Sequence, residues 1–274
     1  MAALESRESY AAAADRLEAY AREAEPTALV AVGDEILTVG ALLERQPRLR
    51  RALSDPARTG EDRANLLRGL LEGKASATAT DLVASLVTGR WSSSNELLDA
   101  TERLGVEALL ASADRAGELA DVEDELFRFG QVVDGDTRLA AIIGDPAEPP
   151  RRRADLVHAL LEGKARPVTI RLAEISVQGY GGRGFAASLT RLVETAAERR
   201  DRQVAYVTVA TPLTEEEERR LGSTLSELYG REVTIKLTVD PEVLGGVSVL
   251  IGSDLYDGTV LRRLIDTRHA LVER

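Results

Sequence analysis

The sequence predicts a mostly α-helical chain with a small α+β domain at its C-terminal end. Two tandem helical bundles, 1–112 and 113–200, are followed by a β-α-β-β-α unit over 201–274. Three observations predict this. The stretch LLEGKA occurs at Leu70–Ala75 and again at Leu160–Ala165, 90 residues apart (160 − 70). Hydrophobic residues make up 44% of the chain but aromatics only 4%, so the core is aliphatic and rich in the strong helix formers Ala and Leu. Beyond about residue 200 the apolar period changes from helical spacing to strict alternation.

The repeat extends well past LLEGKA. At the same offset DEILTVG (34–40) lies over DELFRFG (124–130), RLRRALSDPA (48–57) over RLAAIIGDPA (138–147), and RANLLRGLLEGKA (63–75) over RADLVHALLEGKA (153–165). About 20 of the 57 ungapped positions from 34 to 90 are identical, which marks a duplicated module. The module is helical by period: Val32, Ile36, Val39 and Leu43 recur as Val122, Leu126, Phe129 and Val133. Leu66, Leu67, Leu70 and Leu71 recur as Leu156, Val157, Leu160 and Leu161. Asp55-Pro56 and Asp145-Pro146 read as turns between helices, because the residue before proline is pushed out of the α region. Gly73 and Gly163 read as left-handed helix C-caps. Lys74 and Lys164 then sit at the negative end of a helix dipole; without a glycine-rich loop before them, they are not expected to bind phosphate.

Two further stretches read structurally. GYGGRG (Gly179–Gly184) satisfies the dinucleotide pattern G-x-G-x-x-G, but that chemistry needs a preceding strand, and IRLAEISVQ has a helical period. Its image TGRWSSSN lacks the other glycines, so an inter-helix loop is expected. In that image, Ser93 and Glu96 fit a capping box for a helix starting near Asn95, and Trp91 fits a packing anchor.

In the last third, VAYVTVAT (204–211) is short and β-branched. TEEEERRLGSTLSELYG is a helix with a Thr214/Glu217 capping box and a stop at Gly230. VTIKLTV puts Val233, Ile235, Leu237 and Val239 on one face, and GVSVLI repeats the alternation through Val247, Val249 and Ile251. A last helix is expected from about Gly258, with Leu261, Leu264, Ile265 and Val272 on one side.

Composition removes several function classes. A net charge of −11 opposes binding to nucleic-acid phosphates, and no Lys/Arg stripe with aromatics offsets it. There is no cysteine, and the two histidines, His158 and His269, lie far apart on helical patterns, which leaves neither a thiolate nor a metal set. No cofactor is expected. No apolar run approaches a membrane span and the N-terminus lacks a signal peptide's order, so direct membrane insertion is not expected and a cytoplasmic location is.

The block VDPEVLGGVSVLIGSDLYDGTVLRRL (Val239–Leu264), together with DPARTGEDRANLLRGLLEG and its double, resembles the δ subunit family of F-type ATP synthases. The mitochondrial member of that family is the oligomycin-sensitivity-conferring protein. The chain is longer than typical members by one repeat, and so resembles the long form of high-GC Gram-positive bacteria. No b-type membrane segment is present, so b is expected to be a separate polypeptide.

The resemblance implies a non-catalytic stator part, present once per complex at the cytoplasmic face of the plasma membrane. Its helical part would take N-terminal helices of the α subunit into grooves, and its C-terminal part would grip the end of subunit b. The implied α groove lies between the first and fifth helices of a bundle. That corresponds to Tyr10–Tyr20 with Thr80–Val87 in the first copy, and to Glu118–Phe129 with Ile170–Val177 in the second. Leu82, Val87, Leu172 and Val177 are its apolar candidates, although such positions serve a core more often than a groove. Leu261, Leu264 and Ile265 are the candidates for b. Asp240, Pro241, Gly245 and Gly246 form the family's signature turn, where the glycines serve the backbone. The competing readings are a free helical scaffold with an unrelated protein partner, which has no need of the Val239–Leu264 block, and a nucleotide enzyme using GYGGRG.

Overall fold

The repeat is a repeat of helices. The first copy contains α1 (Ala2–Ala21), α2 (Pro26–Arg45), α3 (Pro47–Leu53), α4 (Gly60–Leu71) and α5 (Ala77–Thr88). Ninety residues on lie α6 (Ser94–Arg115), α7 (Leu119–Asp134), α8 (Thr137–Gly144), α9 (Pro150–Leu161) and α10 (Pro167–Gln178), the last two in register residue for residue. The same step carries α6 onto α11 (Phe185–Arg199). The unit of repetition is therefore five helices, and α6 closes the first copy while opening the second. This corrects the expectation that the second copy opens at Glu118–Phe129. That segment lies at α7, the image of α2, whereas positions 10–20 map onto 100–110 within α6. Because the bundles share a helix, the first helix of the second copy is α6 itself.

The computed structural model describes residues 2–200, 202–230, 232–240, 246–251 and 254–257. They form two compact units, Met1–Val193 and Glu194–Arg274, and the first holds both copies up to α11.

Local chemistry sets the helix ends. Thr59, Ser76 and Ser93 accept the N–H groups of Asp62, Ala79 and Glu96 as N-caps. Gly73 and Gly163 sit at φ +69° and +72°. Lys74 and Lys164 donate from Nζ to the carbonyls of Leu70 (2.9 Å) and Leu160 (3.0 Å). The LLEGKA lysine is thus the helix's own C-terminal cap in both copies. Asp55 and Asp145 accept the N–H groups of Ala57 and Ala147 at 2.9 and 2.8 Å, two copies of one Asx turn. Buried Arg63 donates to the carbonyls of Asp55, Thr88 and Gly89, closing the C-terminal end of α5 from α4.

One core cluster of the first copy runs through Leu17, Leu29, Ile36, Leu43, Leu53, Leu67, Leu86, Leu97 and Leu104. Within it α2 and α6 approach closely. A Cβ built on Gly33 would lie 3.0 Å from the Gly105 carbonyl oxygen, and one on Gly105 would lie 2.6 Å from Leu37 Cγ. The two backbones meet because neither residue carries a side chain.

The second copy joins the first through polar contacts as well as α6. Arg171 on α10 donates to Asp34 on α2 at 2.6 Å, and the Gly181 N–H donates to Glu102 on α6 at 2.9 Å. Desolvation raises the Glu102 carboxyl above its ordinary range, the Gly181 N–H opposes that, and Asp99 and Glu44 add to it.

The second unit contains β1 (Arg202–Val209), α12 (Glu215–Tyr229), β2 (Glu232–Val239), β3 (Val247–Ile251) and β4 (Asp254–Asp257) in one sheet of order β2-β1-β3-β4. β1 and β2 run parallel, and the other pairs are antiparallel. Ala205, Val207, Val209, Val233, Val249 and Ile251 pack with Leu225 of α12, and Ile235, Leu237 and Val247 join them. The alternation foresaw this face; Val239, at the end of β2, is exposed. β4 was not foreseen, because four residues with aspartates at both ends show no readable alternation. The helix expected from Gly258 lies outside the described residues. The capping box is present, with Thr214 N–H donating to Glu217 and Glu217 N–H to Thr214 Oγ1, and Gly230 is left-handed.

Two glycine substitutions test the packing. Gly105→Ala is expected to destabilise by about 1–3 kcal/mol, because its Cβ must push α2 away. Gly69→Ala, exposed in α4 with open space around its Cβ, is expected to stabilise by about 0.5–1 kcal/mol. Thermal denaturation of the two variants should move in opposite directions. Glu102→Gln tests the joint. With a raised folded pKa, the wild-type carboxylate destabilises at neutral pH, and that penalty fades as pH falls through the raised value toward the ordinary carboxylate one. The variant's advantage in Tm should therefore be greatest near pH 7 and shrink on mild acidification; an advantage that grew instead would exclude this account.

Candidate partner-binding surfaces

The four apolar candidates on the helical copies all point inward. Leu82 and Val87 are 4% and 0% exposed, and Leu172 and Val177 are 0% and 2% exposed. α1 does pack against α5, and α6 against α10. Beyond Ala77 and Pro167 at their first positions, what those fifth helices turn outward is polar: Asp81 and Thr88 on α5, and Gln178 on α10. These are flanks of the apolar stripe, visible in the sequence as the polar positions left over once the stripe is assigned. At the signature turn, Asp240 N–H donates to the Val209 carbonyl at 2.8 Å, and Gly246 holds φ +90°, a conformation costly to any other residue. Pro241, Gly245, Leu261, Leu264 and Ile265 lie outside the described residues.

A second surface lies where α1 meets α6. The Arg103 guanidinium stands 4.4 Å from the Tyr10 ring centroid, and Tyr10 Oη donates to Glu107 Oε1 at 2.9 Å. Burial, reinforced by Glu107, holds the Tyr10 phenol far above its usual range; burial likewise pushes Tyr180 up to about 12. Beside them a cleft of about 520 Å³ is lined by Tyr10, Trp91, Glu96 and Asp99. Trp91 packs on the first copy's core and donates from Nε1 to the Leu86 carbonyl at 2.8 Å, an anchor as expected. The Ser93/Glu96 capping box is only half made. Ser93 Oγ accepts the Glu96 N–H, but the Glu96 carboxylate accepts from the Ser6 and Ser92 hydroxyls instead of reaching back, and these hydrogen bonds hold it below its usual range. Ser6, about 90 residues away in the chain, is a competitor that no local motif reveals.

Glu35 and Glu125 were also invisible to motif reading. Glu35 on α2 accepts Ser76 N–H (2.9 Å) and Oγ (2.5 Å) at the start of α5. Its image Glu125 accepts Arg166 N–H (2.9 Å) and Thr169 Oγ1 (2.5 Å) at the start of α10. The repeated D-E of DEILTVG and DELFRFG was the available signal.

GYGGRG follows helix α10, not a strand, and passes through left-handed Gly179, Gly181 and Gly182. The Gly181 N–H is spent on Glu102, a carboxylate of the protein itself, so the loop does not present it to a phosphate. His158 Nδ1 lies 2.8 Å from Glu174 Oε1 on the surface, and His269 is outside the described residues. Among the described residues no group of acids and histidines is placed to hold a metal. Among the described residues one helix, α2, is long and apolar enough by length and composition to cross a membrane, although no uninterrupted apolar run marks it. Its Leu29, Val32, Ile36, Val39 and Leu43 are buried in the first copy's core, and its Glu35 caps α5, as befits a core helix.

Comparison with known proteins gives this arrangement its relatives. Residues 106–271, from within α6 onward, match the family described as ATP synthase delta (OSCP) subunit. The chain is 65% identical to ATP synthase subunit delta of Salinispora arenicola (strain CNS-205) over 274 residues, all of both chains. It is 62% identical, again over all of both chains, to the protein of the same name from Salinispora tropica. With ATP synthase subunit delta of Streptomyces griseus subsp. griseus it shares 45% identity over 259 residues, 94% of this chain and 95% of that one. The chain belongs to the ATP synthase delta (OSCP) subunit family.

Proposed function

We propose that this chain is a non-catalytic stator subunit in the peripheral stalk of a proton-translocating F-type ATP synthase. It links the α/β catalytic hexamer to subunit b, so that rotor torque is turned into ATP synthesis. The observation that carries this reading is identity over the whole length to proteins named ATP synthase subunit delta, first copy included. In this reading the helical copies engage N-terminal helices of the α subunit, and the α+β unit engages the C-terminal end of b. One copy of the chain serves each complex, at the cytoplasmic face of the plasma membrane.

The physics of a stator supports the same reading. A connector resists torque through rigid elements, and the core of this chain is aliphatic helix packing, with the half-buried carboxylates of Glu35 and Glu125 spent on helix starts. Its polar chemistry is consumed internally: the two repeated lysines cap their own helices, and the glycine-rich loop is held by Glu102.

Depletion of the chain tests this. Membranes from depleted cells are expected to lose most of the attached catalytic hexamer in a low-salt wash and most proton-driven ATP synthesis, while the released hexamer still hydrolyses ATP. Hexamer attachment and coupled synthesis at the undepleted level would exclude the stator reading.

A further inference from the structure

The duplication places one helix groove of this protein where it is already filled. In the second copy, the first helix is α6 and the fifth is α10. Along it lies α2 of the first copy, packed on α6 and reaching α10 through Asp34. Gly33, Leu37 and Gly40 of α2 lie against Gly105, Leu109 and Glu102 of α6. On the other wall Asp34 of α2 pairs with Arg171 of α10 at 2.6 Å. Only a cleft of about 300 Å³, between Thr38 and Ala41 of α2 and Ile175 and Gln178 of α10, is left of it.

The same positions in the first copy are open. Thr101, Glu102, Gly105 and Leu109 of α6 map onto Ala11, Ala12, Asp15 and Ala19 of α1, and all four are exposed. Arg171 and Gln178 map onto Asp81 and Thr88 of α5, also exposed. A row of exposed alanines is a shallow apolar floor over which another helix can approach closely. The charge on the wall is reversed: where α10 offers Arg171 to an acidic residue of α2, α5 offers Asp81, which has an exposed ion pair to Arg68 at 3.6 Å, and Asp15 on α1 is exposed as well. Each repeat of such an array contacts its neighbours along the stack, and the contact of α2 with α6 and α10 is of that kind.

We propose that α2 occupies the second copy's first/fifth-helix groove in cis, so that the chain offers one helix-docking groove, α1/α5 of the first copy. Its occupant is an amphipathic helix with an apolar stripe for the alanines and a Lys or Arg beside Asp15 and Asp81. This rests on the stator reading, in which that helix comes from the N-terminal segment of an α subunit. The family match begins within α6, so the bundle matched by the family is the one whose groove is filled, and the additional copy takes over the docking role.

The test uses the full chain and a synthetic peptide of the α subunit's N-terminal segment. Titration calorimetry should give one peptide per chain, and hydrogen exchange should show protection on α1 and α5 and none on α10. Ala12→Arg, which fills the floor from an exposed position, and Asp81→Arg should each weaken binding about tenfold or more. Gln178→Arg, at the image position on α10, should leave it within about twofold. Circular dichroism and Tm identify any variant that fails to fold, and the wild-type exchange footprint decides without variants. Two peptides per chain, protection of α10, or unchanged binding in both first-copy variants would overturn the proposal while leaving the stator reading intact. No binding by the wild-type chain would overturn the proposed partner and the α-binding part of that reading together.

Discussion

Helix α6 must satisfy two bundles at once, and much of the first unit follows from that. It is the last helix of one copy and the first of the next, so it cannot keep a solvent face along its whole length. Ala108 through Ala113 are six consecutive buried residues, where an ordinary surface helix would alternate. A helix buried all round leaves its neighbours little room. The closest neighbour, α2, reaches it only because Gly33 and Gly105 remove both side chains at the crossing. Close packing at that point fixes how α2 sits, and α2 in turn fixes α5 through Glu35 and meets α10 through Asp34.

Duplication explains why the same chemistry appears twice and why it sometimes diverges. Contacts made within one copy recur with the step of 90: the lysine caps, the Asx turns and the carboxylates of Glu35 and Glu125 at the next helix start. Positions that face the neighbouring copy do not recur. Arg171 faces Asp34, but its image Asp81 lies exposed with only a surface ion pair to Arg68 at 3.6 Å. An internal contact constrains both copies alike, whereas a face between copies constrains only the member that has a neighbour.

Charge inside the joint is held in two ways, by the Arg171–Asp34 ion pair and, at Glu102, by a backbone hydrogen bond. Glu102 is buried enough for its carboxyl to be raised, and it accepts the backbone N–H of Gly181 in a glycine turn. That arrangement consumes what looked, as a string of letters, like a nucleotide loop. The loop's three left-handed glycines serve a tight reversal between α10 and α11, and their conformational freedom is used for the turn.

The sequence by itself determined the helical repeat, its step, the C-caps at Gly73 and Gly163, the Thr214 capping box and the sheet face of Val233, Ile235 and Leu237. These depend on local period and on residues within a few positions of one another, which a one-dimensional pattern records. Tertiary structure decided the rest. That α6 belongs to both copies, that Leu82, Val87, Leu172 and Val177 point inward, that Glu96 turns to Ser6, and that β4 joins β3 are facts about which surfaces meet. Apolar periodicity says that a residue is buried but not against what, and a carboxylate's partner is chosen by distance in space. For that reason the duplicated groove was legible as a repeat, and only the packing of α2 on α6 and α10 distinguished its two copies.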